Sequence, residues 1–225
     1  MAGYIDTENL DLKTDEWLNE IARVNRHVMV LNSAASALLV VDMQRYFLDE
    51  SCAGFTAGGP AIVPNIARLV AAFRASDRPV IFTRHVHNPD ESDLGIMAWW
   101  WRGRCVEGTP ESEIIGELAP LEGENVIPKH RYSAFYNTDL DIVLGGGKIE
   151  DLVITGVMTN LCCESTARDA YFRDYRVFFP ADATGSVGEN MHRASLLNLA
   201  FGFTFVTKTE RIISELVGPH PEVEF

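Results

Sequence analysis

A chain of 225 residues, 47% of them hydrophobic, is long enough for one sizeable core. Its formal net charge of -13 argues against a nucleic-acid or anionic-membrane surface, both of which would repel it, and leaves small neutral or cationic molecules as better-suited ligands. The four cysteines, Cys52, Cys105, Cys162 and Cys163, form no CxxC pair and no zinc-like spacing with histidine, and the acidic N-terminus (Asp6, Glu8, Asp11, Asp15, Glu16) reads as neither signal peptide nor membrane anchor, so free thiols in a reducing cytoplasm are expected.

Residues 1–35 read as an arm carrying one helix, and residues 36–225 as a single domain. In the arm the spacing of Trp17, Leu18, Ile21 and Val24 predicts a helix over Thr14–Arg26, serving packing or subunit contact. Ala37 to Val41 is apolar throughout and ends at Asp42, the pattern of a strand buried on both faces in a parallel sheet. Pro60–Ser76 has helical spacing and Val80–Thr83 is a second strand, followed by His85 and His87. The stretch from Asn88 to Pro110, with Trp99, Trp100 and Trp101, is long and loop-like. Loops of that length inside a compact domain are usually functional, so it is expected to wall or cover a pocket.

Asn125–Pro128 is a short strand ending at Lys129, and a helix near Thr138–Leu144 closes in Gly145-Gly146-Gly147, a C-cap and turn. Next comes an apolar strand over 151–155, then Gly156, then a helix over about 160–173 whose start carries Cys162 and Cys163. Arg176–Pro180 is a strand, Glu189–Phe201 a helix, Thr204–Val206 a last strand and Thr209–Leu216 a closing helix. Strands alternating with helices predict a three-layer α/β Rossmann-like fold, a mostly parallel sheet covered by helices on both faces, with its site at the carboxyl ends of the strands.

Asp42, Lys129 and Cys162 each fall at or just past such an end. Singly, each has an ordinary reading: a turn residue, a solvated cation, a buried filler. Together they are the parts of a cysteine hydrolase: a thiol to attack a carbonyl carbon, a cation beside it and a carboxylate to move protons. A helix N-terminus and a lysine can bring a cysteine pKa from about 8.5 down to about 3.5–7.5, so a substantial thiolate fraction at neutral pH is expected. The N–H groups of the turn before Cys162 are candidates for an oxyanion hole.

Leu39-Val40-Val41-Asp42-Met43-Gln44-Arg45-Tyr46-Phe47, Lys129-His130-Arg131-Tyr132-Ser133-Ala134-Phe135 and the stretch Gly156 to Ala170, with Thr159-Asn160-Leu161-Cys162-Cys163 inside it, resemble in order the three signature segments of the isochorismatase-like cysteine hydrolases. The resemblance runs from about residue 36 to about residue 216. It implies a six-stranded parallel sheet and a triad of Asp42, Lys129 and Cys162. It also implies a cis peptide between Val157 and Met158 that turns the Met158 and Cys162 amides into an oxyanion hole. The segments around Asp42 and Lys129 look most like true isochorismatases, which cleave a vinyl ether and typically have glycine where this chain has Cys162. A retained nucleophile favours C–N bond cleavage in a small amide, carbamoyl or ureido compound. The alternatives are a vinyl ether hydrolase using Asp42 as general acid, and a catalytically silent binding or assembly subunit.

Only one of two adjacent residues at a helix start can face the strand ends. The family pattern puts Cys162 there and leaves Cys163 to packing. Phe47, Trp101 and Tyr132 are expected to face substrate, and Glu164 and Arg168 to pair one helical turn apart. His85 and His87 share one side of a strand. The Asp-x-His element through which nicotinamidases of the family hold a metal is absent between Asp42 and His85, so no metal and no cofactor is expected, and nicotinamide is disfavoured as substrate. The resemblance further implies a homo-oligomer, a dimer or tetramer.

Overall fold

The computed structural model describes residues 3–218, so the ends of the expected arm and domain, residues 1–2 and 219–225, lie outside the described residues. In chain order the elements are α1 (Leu10–Ile21), β1 (Ser36–Val41), α2 (Arg45–Leu48), α3 (Gly59–Ala75), β2 (Val80–His85), α4 (Met97–Trp100), β3 (Asn125–Lys129), α5 (Leu140–Gly146), β4 (Asp151–Val157), α6 (Glu164–Tyr171), β5 (Arg176–Pro180), β6 (Thr184–Gly185), α7 (Glu189–Gly202), β7 (Phe205–Thr207) and α8 (Thr209–Val217). Every pairing between named strands is parallel, in the order β3-β2-β1-β4-β5-β7, with β6 beside β4. All residues of β1 and β4 are buried, as an apolar strand sandwiched between helical layers must be.

The sheet has seven strands where six are expected. β5 pairs with β4 only over Asp151–Val153, and after Pro180, which has no N–H to donate, a short turn brings Thr184-Gly185 alongside Gly156-Val157. Two residues are too few to show a period, so this strand is invisible in the sequence.

The arm helix also differs, beginning at Leu10 and ending at Ile21 instead of spanning Thr14–Arg26. Asp6 Oδ1 accepts hydrogen bonds from the backbone N–H groups of Glu8 (2.9 Å) and Asn9 (2.8 Å), a local turn that starts the helix early. Leu10, Thr14, Trp17 and Ile21 then make one buried stripe. Ile5, Leu10, Trp17 and Ile21 join the same hydrophobic core as β1 and β4, so this helix packs on its own chain. The glycine run ends α5 as expected, but the left-handed residue is Lys148 (φ 51°) and Gly147 stays right-handed.

Chain direction reverses around β1. The chain goes from β1 to β2 and β3 on one side and from β4 to β5 and β7 on the other, which makes the gap between the C-terminal ends of β1 and β4 the topological switch point. Gly156 faces Val41 across that seam with φ +109°, and a Cβ there would collide with the Val41 carbonyl. Gly156→Ala is therefore expected to destabilise the fold by about 3 kcal/mol or more, read as a lowered midpoint in thermal or denaturant unfolding.

Candidate active site

Asp42 leaves β1 in the left-handed region, φ 53°, a conformation that aspartate tolerates better than most residues. Its backbone N–H donates to Thr83 Oγ1 (3.1 Å), and the Thr83 hydroxyl donates back to Asp42 Oδ1 (2.6 Å). Oδ2 lies 2.7 Å from Lys129 Nζ, and both side chains are fully buried. Lys129 ends β3 in register with His85 of β2; its ammonium also donates to the Arg131 carbonyl (3.1 Å) and approaches His85 Nδ1 (3.4 Å). An ammonium has only donors, so Nδ1 of His85 is the acceptor, and burial together with Lys129 holds the imidazole well below its usual pKa, in the neutral form.

The third strand end, that of β4, carries the cis peptide Val157–Met158 that the family resemblance implies. The expected helix over 160–173 divides here: Thr159–Cys163 is a turn of π-helix and the α-helix begins at Glu164. The wider turn brings Cys162 Sγ within 4.8 Å of Asp42 and His85, while Cys163 is wholly buried with its sulfur 3.8 Å from the Thr155 carbonyl. Glu164 and Arg168 pair at 2.7 Å as expected.

The structure corrects the expected thiolate. Burial, the largest influence, pushes the Cys162 thiol up to about 12; Lys129 opposes this, but its charge is already matched by Asp42, which itself disfavours a second anion. Cys162 sits in a π-turn ahead of α6 and not in the first turn of a regular α-helix. The raised value leaves Cys162 as a neutral thiol at neutral pH, close to the Asp42 carboxylate.

Cys162 opens onto a cavity of about 740 Å³ walled by Tyr46, Phe47, Trp101, Tyr132, Met158 and Leu161, among others. Asp42 and Lys129 lie behind it, fully buried. Phe47, Trp101 and Tyr132 all face this space, and the Trp101 indole N–H donates to the Tyr132 hydroxyl (2.9 Å). The long 88–110 segment forms one wall, from Glu91 through Cys105, with Trp99 three-quarters exposed at its rim. Thr83, which orients Asp42, escaped notice in the sequence because a threonine inside a strand is ordinary. Gln44 escaped likewise: its side chain bonds the His85 N–H (2.7 Å) and the Ser112 carbonyl (2.9 Å), tying the β1 end to the β2 end. The pocket residues Val187, just beyond β6, and Met191, in the first turn of α7, gave no sign in the sequence of facing the site.

Among the described residues, two groups carry ligand-type atoms close together: Asp42, His85 and Cys162, and His87, Asp93 and His130. The first already holds the Lys129 ammonium, which a metal ion would have to displace. In the second, His130 Nδ1 is 2.7 Å from the Val86 carbonyl, a contact that needs a proton on that nitrogen and not a lone pair. Neither set presents three free lone pairs to a cation.

The Isochorismatase domain model matches residues 36–211. The chain belongs to the isochorismatase-like cysteine hydrolase family. Among similar proteins, nicotinamidase 3 of Arabidopsis thaliana is 38% identical over 190 residues, covering 83% of this chain and 91% of that one. Ureidoacrylate amidohydrolase RutB of Methylobacterium radiotolerans is 33% identical over 216 residues, covering 85% and 83%. Among solved structures, a cysteine hydrolase from Pseudomonas syringae pv. phaseolicola 1448A superposes with a TM-score of 0.81 at 32% identity, covering 84% of this chain and 95% of that one. No helix among the described residues is long and apolar enough to cross a membrane.

Proposed function

We propose that this family member hydrolyses the C–N bond of a small amide, carbamoyl or ureido compound through a thioester on Cys162. The carrying observation is the buried Asp42–Lys129 ion pair set directly behind a pocket-facing thiol. Asp42 Oδ2 makes no aligned hydrogen bond despite its close ion contact, and so has a lone pair ready for the thiol proton. As sulfur attacks the carbonyl carbon, that proton passes to Asp42, Lys129 offsets the developing charge, and the Met158 and Cys162 amides receive the oxyanion. Collapse breaks the C–N bond while Asp42 returns the proton to the departing amine. Water, deprotonated by Asp42, then attacks the thioester, and the proton on Asp42 goes back to sulfur, releasing the acid and restoring the thiol.

The names of the two curated relatives support amide hydrolysis and leave nicotinamide and ureidoacrylate as the first compounds to try. The aromatic walls suit a flat molecule. The test is a panel of nicotinamide, ureidoacrylate, other small amides and isochorismate, with and without prior alkylation by iodoacetamide at about pH 9, where more of a raised-pKa thiol is ionised. Ammonia release lost on alkylation is the expected result. Pyruvate release from isochorismate that survives alkylation, or no turnover of any compound, would sink the proposal.

A further inference from the structure

The arm lies outside the matched domain, which begins at residue 36, yet it reaches the back of the nucleophile turn. Thr159 and Asn160 lie between Met158 and Leu161-Cys162, and each is held from behind. Thr159 Oγ1 is 2.9 Å from Nδ1 of His192, a fully buried imidazole on α7. One ring away is Trp17 of α1, its centroid 4.5 Å from that of His192. The Trp17 indole N–H donates to Glu189 Oε1 (3.0 Å) in the first turn of α7, fixing the two helices to each other. On the other side, Asn160 Oδ1 accepts from the Ser186 hydroxyl (2.6 Å), and the Ser186 N–H donates to the Tyr4 hydroxyl (3.1 Å). The fit is close: a Cβ on Gly58 would lie 2.7 Å from that tyrosine oxygen. Burial lowers the His192 pKa to about 3, so the imidazole is neutral and offers Thr159 a stable partner across the working pH range.

We propose that the segment Tyr4 to Ile21 is a positioning element for the nucleophile turn, acting through His192 on Thr159 and through Ser186 on Asn160. This rests on Cys162 being the nucleophile. Among the described residues, none of the arm lines the pocket, whose walls begin at Tyr46. The arm therefore has no route to substrate affinity except through the turn, and loosening it moves the attacking sulfur and the Met158 and Cys162 amides together. Misplacement of reacting groups by about 1 Å can cost about 100-fold in rate.

The test uses full-length Trp17→Ala, Trp17→Phe, His192→Phe and Thr159→Val, with Leu144→Ala as a control that removes buried volume from α5, outside the arm. Turnover is measured on nicotinamide, or on ureidoacrylate if nicotinamide is not hydrolysed, and the iodoacetamide alkylation rate of the Cys162 peptide is measured in parallel by mass spectrometry. Trp17→Ala, His192→Phe and Thr159→Val should lower kcat by about 10- to 100-fold and change the alkylation rate, with KM within about threefold. Trp17→Phe, which keeps a ring against His192, should retain most of the activity, and Leu144→Ala should stay within about twofold. Should Trp17→Ala fail to fold, Thr159→Val breaks the same link from the turn side. Unchanged kcat in folded Trp17→Ala and Thr159→Val, or an equal loss in Leu144→Ala, would overturn the arm's role. Turnover by Cys162→Ala would instead overturn the nucleophile assignment on which it rests.

Discussion

Cys162→Ala is expected to lower kcat by about 10⁴-fold or more with the fold intact, whereas Cys163→Ala should keep kcat within about tenfold and lose roughly 1–2 kcal/mol of stability. The adjacent thiols are separated by what they face. Cys162 lines the cavity beside Asp42, whereas Cys163 points at the Thr155 carbonyl with no solvent path. Burial pushes the Cys163 thiol well above its ordinary value, and Cys162 and Asp42 beside it act in the same direction. A thioester trapped on the Cys162 peptide by rapid quench and mass spectrometry would mark the nucleophile directly, and turnover by Cys162→Ala together with loss in Cys163→Ala would reverse the assignment. The raised thiol pKa adds a second reading. Below about 12 the free thiol is mostly neutral and its thiolate fraction grows as pH rises, so alkylation should keep accelerating through pH 8–10, where an ordinary cysteine with a pKa of about 8.5 levels off.

Asp42→Asn should abolish turnover and destabilise at once, and the two effects have separate causes. Activity falls because an amide cannot take the thiol proton, a loss of about 10²- to 10⁴-fold for a general base. Stability falls because the fully buried Lys129 ammonium loses its carboxylate and is left with uncharged neighbours, the Arg131 carbonyl and His85 among them. Removing one partner of a buried ion pair costs about 3–5 kcal/mol. Backbone strain is not the reason, since asparagine accepts the left-handed conformation as readily as aspartate. The double variant Asp42→Asn/Lys129→Met removes the stranded charge as well. It should recover part of the lost stability in thermal unfolding while remaining inactive; recovery of activity, or equal instability of the single and double variants, would contradict this account.

Much of this site was legible because strand ends are legible. An apolar run such as Ala37–Val41 has one physical fate in an alternating α/β chain, and whatever polar residue follows it must emerge at the carboxyl edge, so Asp42, Lys129 and Cys162 could be placed on one edge from their neighbours alone. The order of the three motifs carried the family, and with it the cis peptide at Val157–Met158. What could not be read depends on distances across the fold. The charge state of Cys162 is a balance of burial against Lys129 and Asp42, and a motif records none of those separations. The π-turn that aims the sulfur, the two-residue β6 and the early start of α1 are each set by contacts with partners distant in the chain or by a local turn too short to give a period. The link from Trp17 through His192 to Thr159 joins residues that only tertiary packing brings together. Hydrophobic pattern and local motif thus determined the sheet, the edge and the chemical groups on it, because those follow from backbone periodicity. Protonation, aim and bracing were decided by the folded structure, because they depend on what each group meets across space.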